Sequence, residues 1–163
     1  MKKAGKKNAY ILRVLMMVLT TVLIGVIVAI MLVVGQIQGT ARVVNYAGLV
    51  RGETQRIVKL ENAGLPQDGM IDDVTSFIAG LRFGSNELQL VRLNDVNFQN
   101  KMAELSDEFE TLKKEIQFVR TVGYHQTDII QQSEDFFAIC DEATGLAAAY
   151  SQRRATILSY LEN

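Results

Sequence analysis

From Val14 to Gly35 the chain runs without a single charged side chain: VLMMVLTTVLIGVIVAIMLVVG. As a helix rising about 1.5 Å per residue, this run matches the roughly 30 Å hydrocarbon core of a bilayer. Beyond it the apolar positions recur with helical spacing, and no stretch alternates with period two. The clearest series is Phe98, Met102, Leu105, Phe109, Leu112, Ile116 and Val119, whose steps of four and three make a heptad seam. Glu104, Asp107, Glu108, Lys113 and Lys114 lie off that seam, and Gly123 ends it. The same steps return in Ile129, Ser133, Phe136, Cys140, Ala143, Ala147, Tyr150, Arg154, Ile157 and Leu161. A shorter series, Ile71, Val74, Ile78 and Leu81, lies between the turn-rich segments AGLPQDG (63–69) and RFGSN (82–86).

These patterns predict an all-α chain, with one N-terminal transmembrane helix followed by an antiparallel up-down four-helix bundle. The bundle helices fall near 36–62, 70–83, 87–121 and 125–162, the first continuing the membrane span without a break. Three regions follow: a basic N-terminus (1–13), the span (14–35) and an extracytoplasmic bundle (36–163). A low count of one Pro in 163 residues leaves long helices uninterrupted.

Charge sets the orientation. Lys2, Lys3, Lys6, Lys7 and Arg13 precede the span with no acid among them, which places the N-terminus in the cytoplasm of a cell membrane. A cleaved signal peptide is the rival reading. Its apolar region would run about 7–15 residues before an A-x-A-like site, whereas this run is longer and leads into GQIQGTA. Setting those five basic residues aside leaves 12 basic and 18 acidic residues in the bundle. An acidic domain outside the cell is a poor partner for nucleic acid. With one Cys and one His there is neither a disulfide framework nor a thiolate or imidazole cage. No P-loop, GxGxxG turn or zinc-ligand spacing occurs, so no catalysis, cofactor or metal site is expected. His125 reads as a surface or capping residue and Cys140 as a small core residue.

The first bundle helix carries an unusual combination, Asn45-Tyr-Ala-Gly-Leu-Val-Arg-Gly-Glu-Thr-Gln-Arg56. At about 100° per residue from Asn45, Gly52 falls near −20°, Arg56 near +20°, Lys59 near −40° and Gly48 near −60°. These make one polar stripe poor in side-chain bulk. Val43, Tyr46, Val50 and Ile57 form the opposite, core-facing side, and Arg51 sits to the flank beside Ala47 and Gln55. Each helical glycine costs about 1 kcal/mol relative to Ala, so Gly39, Gly48 and Gly52 require a reason. One reason is close approach of the same helix from a second copy. That would bring two Arg56 guanidiniums together and favour a small anion between them. The plainer alternative has Arg51 and Arg56 solvated or paired with Glu53, Glu61 or an acid of another helix, and the glycines serving packing within one chain.

The stretch resembles the motif N-x-A-G-x-x-R-x-x-S-x-R, which opens the outer domain of bacterial nitrate/nitrite sensor histidine kinases. It is similar also to the N-terminal domain of type IV pili methyl-accepting chemotaxis transducers. Asn45, Ala47, Gly48, Arg51 and Arg56 match, and Thr54 stands in place of Ser. The wording ARVVNYAGLVRGETQRIVKLE, with SEDFF later, is similar to the sensory N-termini of membrane-bound diguanylate cyclases and hybrid histidine kinases. The resemblance implies a sensory domain in signal transduction, two-component systems included. It also implies a homodimer through the first helix and a ligand site at Arg51 and Arg56; Asn45, Gly48 and Gly52, which share the helical stripe of Arg56, are expected to line it. Gly52 and Gln55 stand where nitrate sensors carry bulkier residues, so the expected ligand is a small anion rather than nitrate in particular. A second membrane span and an output module are implied as well, and the sequence to Asn163 contains neither. The competing class is a membrane-anchored helical interaction or structural protein that senses nothing.

Overall fold

The computed structural model describes residues 2–161, with backbone alone for 2–9, 36 and 157–161. The expected seam positions Ile157 and Leu161 and the side chains of Lys2, Lys3, Lys6 and Lys7 thus lie outside the described residues. Four α-helices follow in order: α1 (Lys2–Asn62), α2 (Asp68–Phe83), α3 (Val96–Val122) and α4 (Ile129–Leu161). A single 3-10 turn, Tyr124–Gln126, precedes α4. Among the described residues there is no strand, only one isolated antiparallel bridge between Ser85 and Leu90. The chain is all-α, as the apolar spacing requires.

Two compact units divide it, Met1–Ile37 and Gln38–Asn163. The first is long and apolar enough to cross a membrane, with a mean hydropathy of 3.0 over its most apolar window and none of that window buried. Its two threonines, Thr20 and Thr21, donate to the carbonyls of Met16 and Met17 at 2.9 Å. Each hydroxyl thereby satisfies itself inside its own helix, as a hydrocarbon environment demands.

The second unit is the bundle. Its α3 seam is buried as the spacing predicts, from Phe98 to Val119. So is the α4 seam from Ile129 to Ala147, whereas Tyr150 is half-buried and Arg154 exposed. Ile71, Val74, Ile78 and Leu81 of α2 close the core. Phe109 and Phe136 meet at its centre with ring centroids 5.5 Å apart. The up-down order is legible in the cross-helix pairs. Thr40 meets Ser151 and Arg51 meets Asp141 across α1 and α4. Lys101 meets Glu142 and Phe109 meets Phe136 across α3 and α4. In each set the number rises along one helix as it falls along the other.

Two boundaries differ from expectation. The helix predicted from residue 87 begins at Val96. Residues 84–95 instead double back: Ser85 and Leu90 exchange backbone bonds of 2.9 and 2.8 Å, and Gly84 and Gln89 take φ of 85° and 53°. Leu88 and Leu90 then fold onto Gly80, where an added Cβ would lie 3.1 and 2.9 Å from their Cδ1 atoms. Burial of Leu90 and Leu93 against the core outweighs helix continuation here. Asp95 caps α3, its carboxylate accepting from Phe98 N at 2.9 Å. Similarly α4 starts at Ile129 rather than 125, because Gly123 at φ 83° ends α3 and the 3-10 turn intervenes.

The core face of α1 also shifts. Thr40, Val43, Ala47, Val50, Thr54, Ile57 and Glu61 are buried, in steps of three and four. Following large apolar residues alone displaced the expected face towards Tyr46. Small Ala47 and three polar residues complete it, and its centre lies about 180° from Asn45. Tyr46 is half-buried at the edge, packing edge-on against Phe77 with centroids 5.1 Å apart.

Candidate functional site

Because the buried seam lies opposite Asn45, the motif residues divide by helical phase. Ala47 and Thr54 point inward, and Thr54 Oγ1 is buried with no hydrogen-bond partner among the described atoms. Asn45 and Gly52 are exposed, and Gly48 is half-buried. The Arg56 side chain is 65% exposed, and among the described residues its ion-pair partner is Glu53 of its own helix, at 3.9 Å. Asn45, Gly48, Gly52 and Arg56 therefore share one outward stripe of the bundle. Arg42 and Lys59 are exposed on the same helix, and Gln38, Ala41, Arg42, Asn45, Tyr46 and Leu49 line a shallow open groove along it. In an otherwise acidic domain, the exposed side of α1 is cationic.

The three glycines part company. Gly39 has a reason within the chain: an added Cβ would sit 3.2 Å from both γ-carbons of Val91. Around Gly48 and Gly52 nothing lies within 4 Å of that position. Neither glycine takes a positive φ. Nothing in the described chain therefore requires a missing side chain at either place.

Arg51 is held elsewhere. Its Nη1 donates to Asp141 Oδ1 at 2.7 Å, and its guanidinium lies 5.3 Å from the centroid of the Phe137 ring. Its Cζ lies over the face of that ring, a favourable cation–π arrangement, while Asp141 takes one of its N–H donors. The structure thus brings four of the five candidate residues together on one stripe and leaves Arg51 on the α4 flank. Sequence reasoning missed Asp141 and Phe137. Positions flanking a heptad seam do carry interhelical ion pairs, but choosing Asp141 for Arg51 needs the register of α4 on α1.

A second polar cluster joins α1, α2 and α3. Glu61, with its side chain 1% exposed, accepts from Arg120 and from the backbone N–H of Gln67, and Arg120 also bonds Asp68. These carboxylates, Glu61 first, raise the Arg120 pKa further above its already high value. Glu61 is therefore unavailable to Arg56. Among the described residues no three or more His, Cys, Asp or Glu gather as metal ligands would.

No family model matches the chain, and no curated protein does. Among solved structures, it is similar to the ligand-binding domain of the P. aeruginosa nitrate receptor McpN, with a TM-score of 0.58 and 17% identity. The match spans 66% of this chain and 94% of that domain. At such identity the likeness is one of fold.

Proposed function

We propose that this chain is the membrane-anchored sensory part of a bacterial signalling receptor, binding a small anion between the first helices of two copies. The observation that carries the reading is the pair Gly48 and Gly52, bare on an exposed helix face with nothing of their own chain to accommodate. Two unexplained glycines cost α1 about 2 kcal/mol of helix propensity, and a second backbone approaching the stripe would account for that cost. Arg56 lies on the same stripe, so the approach would draw two guanidiniums together. An oxyanion or carboxylate between them would relieve their repulsion through charge-assisted bonds. The fold shared with a nitrate receptor's ligand-binding domain supports a sensory role, and nitrate is the first anion to try.

The apolar segment of α1 would anchor the chain in the cell membrane, with the basic N-terminus in the cytoplasm and the bundle outside. Anion binding shifts the receptor only through different affinities for two packings of the first helices. Helix displacements of about 1–2 Å are typical of such switches.

Calorimetric titration of nitrate, sulfate, phosphate and acetate into the full chain in lipid nanodiscs tests the reading. Saturable binding by the wild type, lost in Arg56→Ala, is the expected result. No heat with any of the four, or equal binding by the variant, overturns it. The competing reading, a helical interaction protein without a ligand, is favoured by one observation: Arg51 already has a carboxylate partner.

A further inference from the structure

We propose that the end of the bundle where the chain arrives from its apolar segment is a membrane-contacting surface, whose loop 84–95 and neighbouring arginines rest on anionic phospholipid headgroups. The inference rests on the membrane-anchor reading above and adds to it a second point of attachment. Three contacts define this end. The γ-carbons of Val91 close on Gly39, Thr40 and Ser151 share a hydrogen bond of 3.2 Å, and Arg153 donates to Asp95 at 3.2 Å. The first bundle residues of α1, the loop, the start of α3 and residues 151–153 of α4 therefore meet in one place. Gly39 stands four positions after Gly35, the last residue of the uncharged run.

The loop presents outward what a membrane surface takes up. Leu90 and Leu93 are buried and pin it to the core. Between them Val91 and Arg92 stay exposed, and Val96 opens α3 with 74% of its surface uncovered. Val91 serves two neighbours, since it abuts Gly39 yet remains 46% exposed. Single exposed valines are ordinary on a protein surface, but these two stand among cations. Arg92 adjoins Val91, Arg153 bonds Asp95 beside Val96, and exposed Arg42 lies about one turn along α1 from Gly39.

Charge sets this end apart from the rest. Beyond Gly35 the chain holds 12 basic and 18 acidic residues, whereas here Arg42, Arg92, Arg153 and Arg154 outnumber Glu87 and Asp95. Arg153 answers Asp95. Arg92 uses its Nε to hold the Arg82 carbonyl at 3.1 Å, which steadies the side chain and leaves its charge uncompensated. Guanidinium forks match phosphate oxygens, and apolar side chains between them enter the boundary beneath the headgroups. Apolar burial and attraction to anionic lipid then add. The anchor also keeps the bilayer within reach of this end, so that even a weak contact is populated.

The test attaches a fluorophore to the full chain in nanodiscs that contain doxyl-labelled lipid, at Val96→Cys, Leu23→Cys or Phe118→Cys. All three side chains are exposed, so labels there leave the core alone. Cys140 is buried and stays in place, and the unmodified chain taken through the same labelling sets the background. In discs rich in phosphatidylglycerol, position 96 should be quenched and position 118, near the other end of α3, should not. Position 23 should be quenched in every disc. Replacing phosphatidylglycerol by phosphatidylcholine should release position 96. Arg42→Gln and Arg92→Gln should each lower its ratio of docked to free about five-fold. Quenching at 96 that ignores both lipid charge and these substitutions overturns the proposal, as mere nearness imposed by the tether. So does a shielded label at 96 that lipid does not quench, which names a second copy as the cover. No quenching at 96 while 23 is quenched overturns the docking and leaves the anchor standing. No quenching at 23 overturns both readings.

Discussion

Glu61 and Arg120 form a two-point ion pair across α1 and α3, with Nε on Oε2 at 2.9 Å and Nη2 on Oε1 at 2.5 Å. The carboxylate is buried while the guanidinium keeps partial access to water and to Asp68. Removing the cation therefore strands a charge in the core. Arg120→Ala should lower unfolding stability by about 3 kcal/mol, the lower end for a broken buried pair. Asp68→Ala, at a 72% exposed carboxylate, should cost less than about 1 kcal/mol. Chemical denaturation of the three proteins checks the order, and equal losses would refute the division of roles.

Gly48 and Gly52 separate the stability of one chain from the association of two. Alanine at either meets nothing within 4 Å and should stabilise the isolated bundle by up to about 1 kcal/mol through helix propensity. The same substitutions should weaken dimerisation, read by sedimentation in detergent. Gly80→Ala is the contrast. Its Cβ would sit 2.9 Å from Leu90 Cδ1 and 3.1 Å from Leu88 Cδ1, so it should destabilise the α2–α3 connection.

Cys140 gives a pH dependence. Burial pushes its thiol up to about 12, with the Arg51 charge drawing it down and Asp141 pushing it up by smaller amounts. Unfolded, the thiol ionises nearer its ordinary value of about 8.5. Between those values the unfolded chain releases a proton that the folded chain retains. This contribution to stability is therefore intact at neutral pH and declines from about pH 9 to 12. Cys140→Ala should show a flatter alkaline arm in thermal melts. Alkylation of the wild type at pH 8 should be slow until denaturant is added.

Phe109 packs against Phe136 in the core, the rings tilted by 41°, and both are essentially fully buried. Phe109→Ala should cost about 3–5 kcal/mol by denaturant titration. Asp95→Ala removes the cap of α3 and a partner of Arg153 at 3.2 Å. It should cost about 1–2 kcal/mol. A smaller effect at Asp95 than at an exposed control acid would contradict the capping role.

Much of this was readable before any coordinates. The seams of α3 and α4 follow from apolar spacing because a helix buries whatever recurs every three to four residues. The missed boundary at 84–95 had a signal, since Asp95 stands three residues before Phe98, where a helix cap belongs. It was obscured because Leu88, Leu90 and Leu93 are apolar without helical phase: Leu88 and Leu90 fold onto Gly80, and Leu90 and Leu93 are buried although they lie outside any helix. The inward turn of Thr54 and Glu61 could not be read from hydrophobicity at all. Glu61 is tolerated in the core only because Arg120, distant by 59 positions, supplies its counter-charge.

The sequence by itself determined the all-α fold class, the apolar N-terminal helix and the stripe of Asn45, Gly48, Gly52 and Arg56. All of these are periodic properties of single helices, where position along the chain sets direction around the axis. Only the tertiary structure decided that Gly39 answers to Val91 while Gly48 and Gly52 answer to nothing in their chain, and that Arg51 is claimed by Asp141 on α4. Those relationships depend on the register between helices, which the packing of four seams sets together and no one helix encodes.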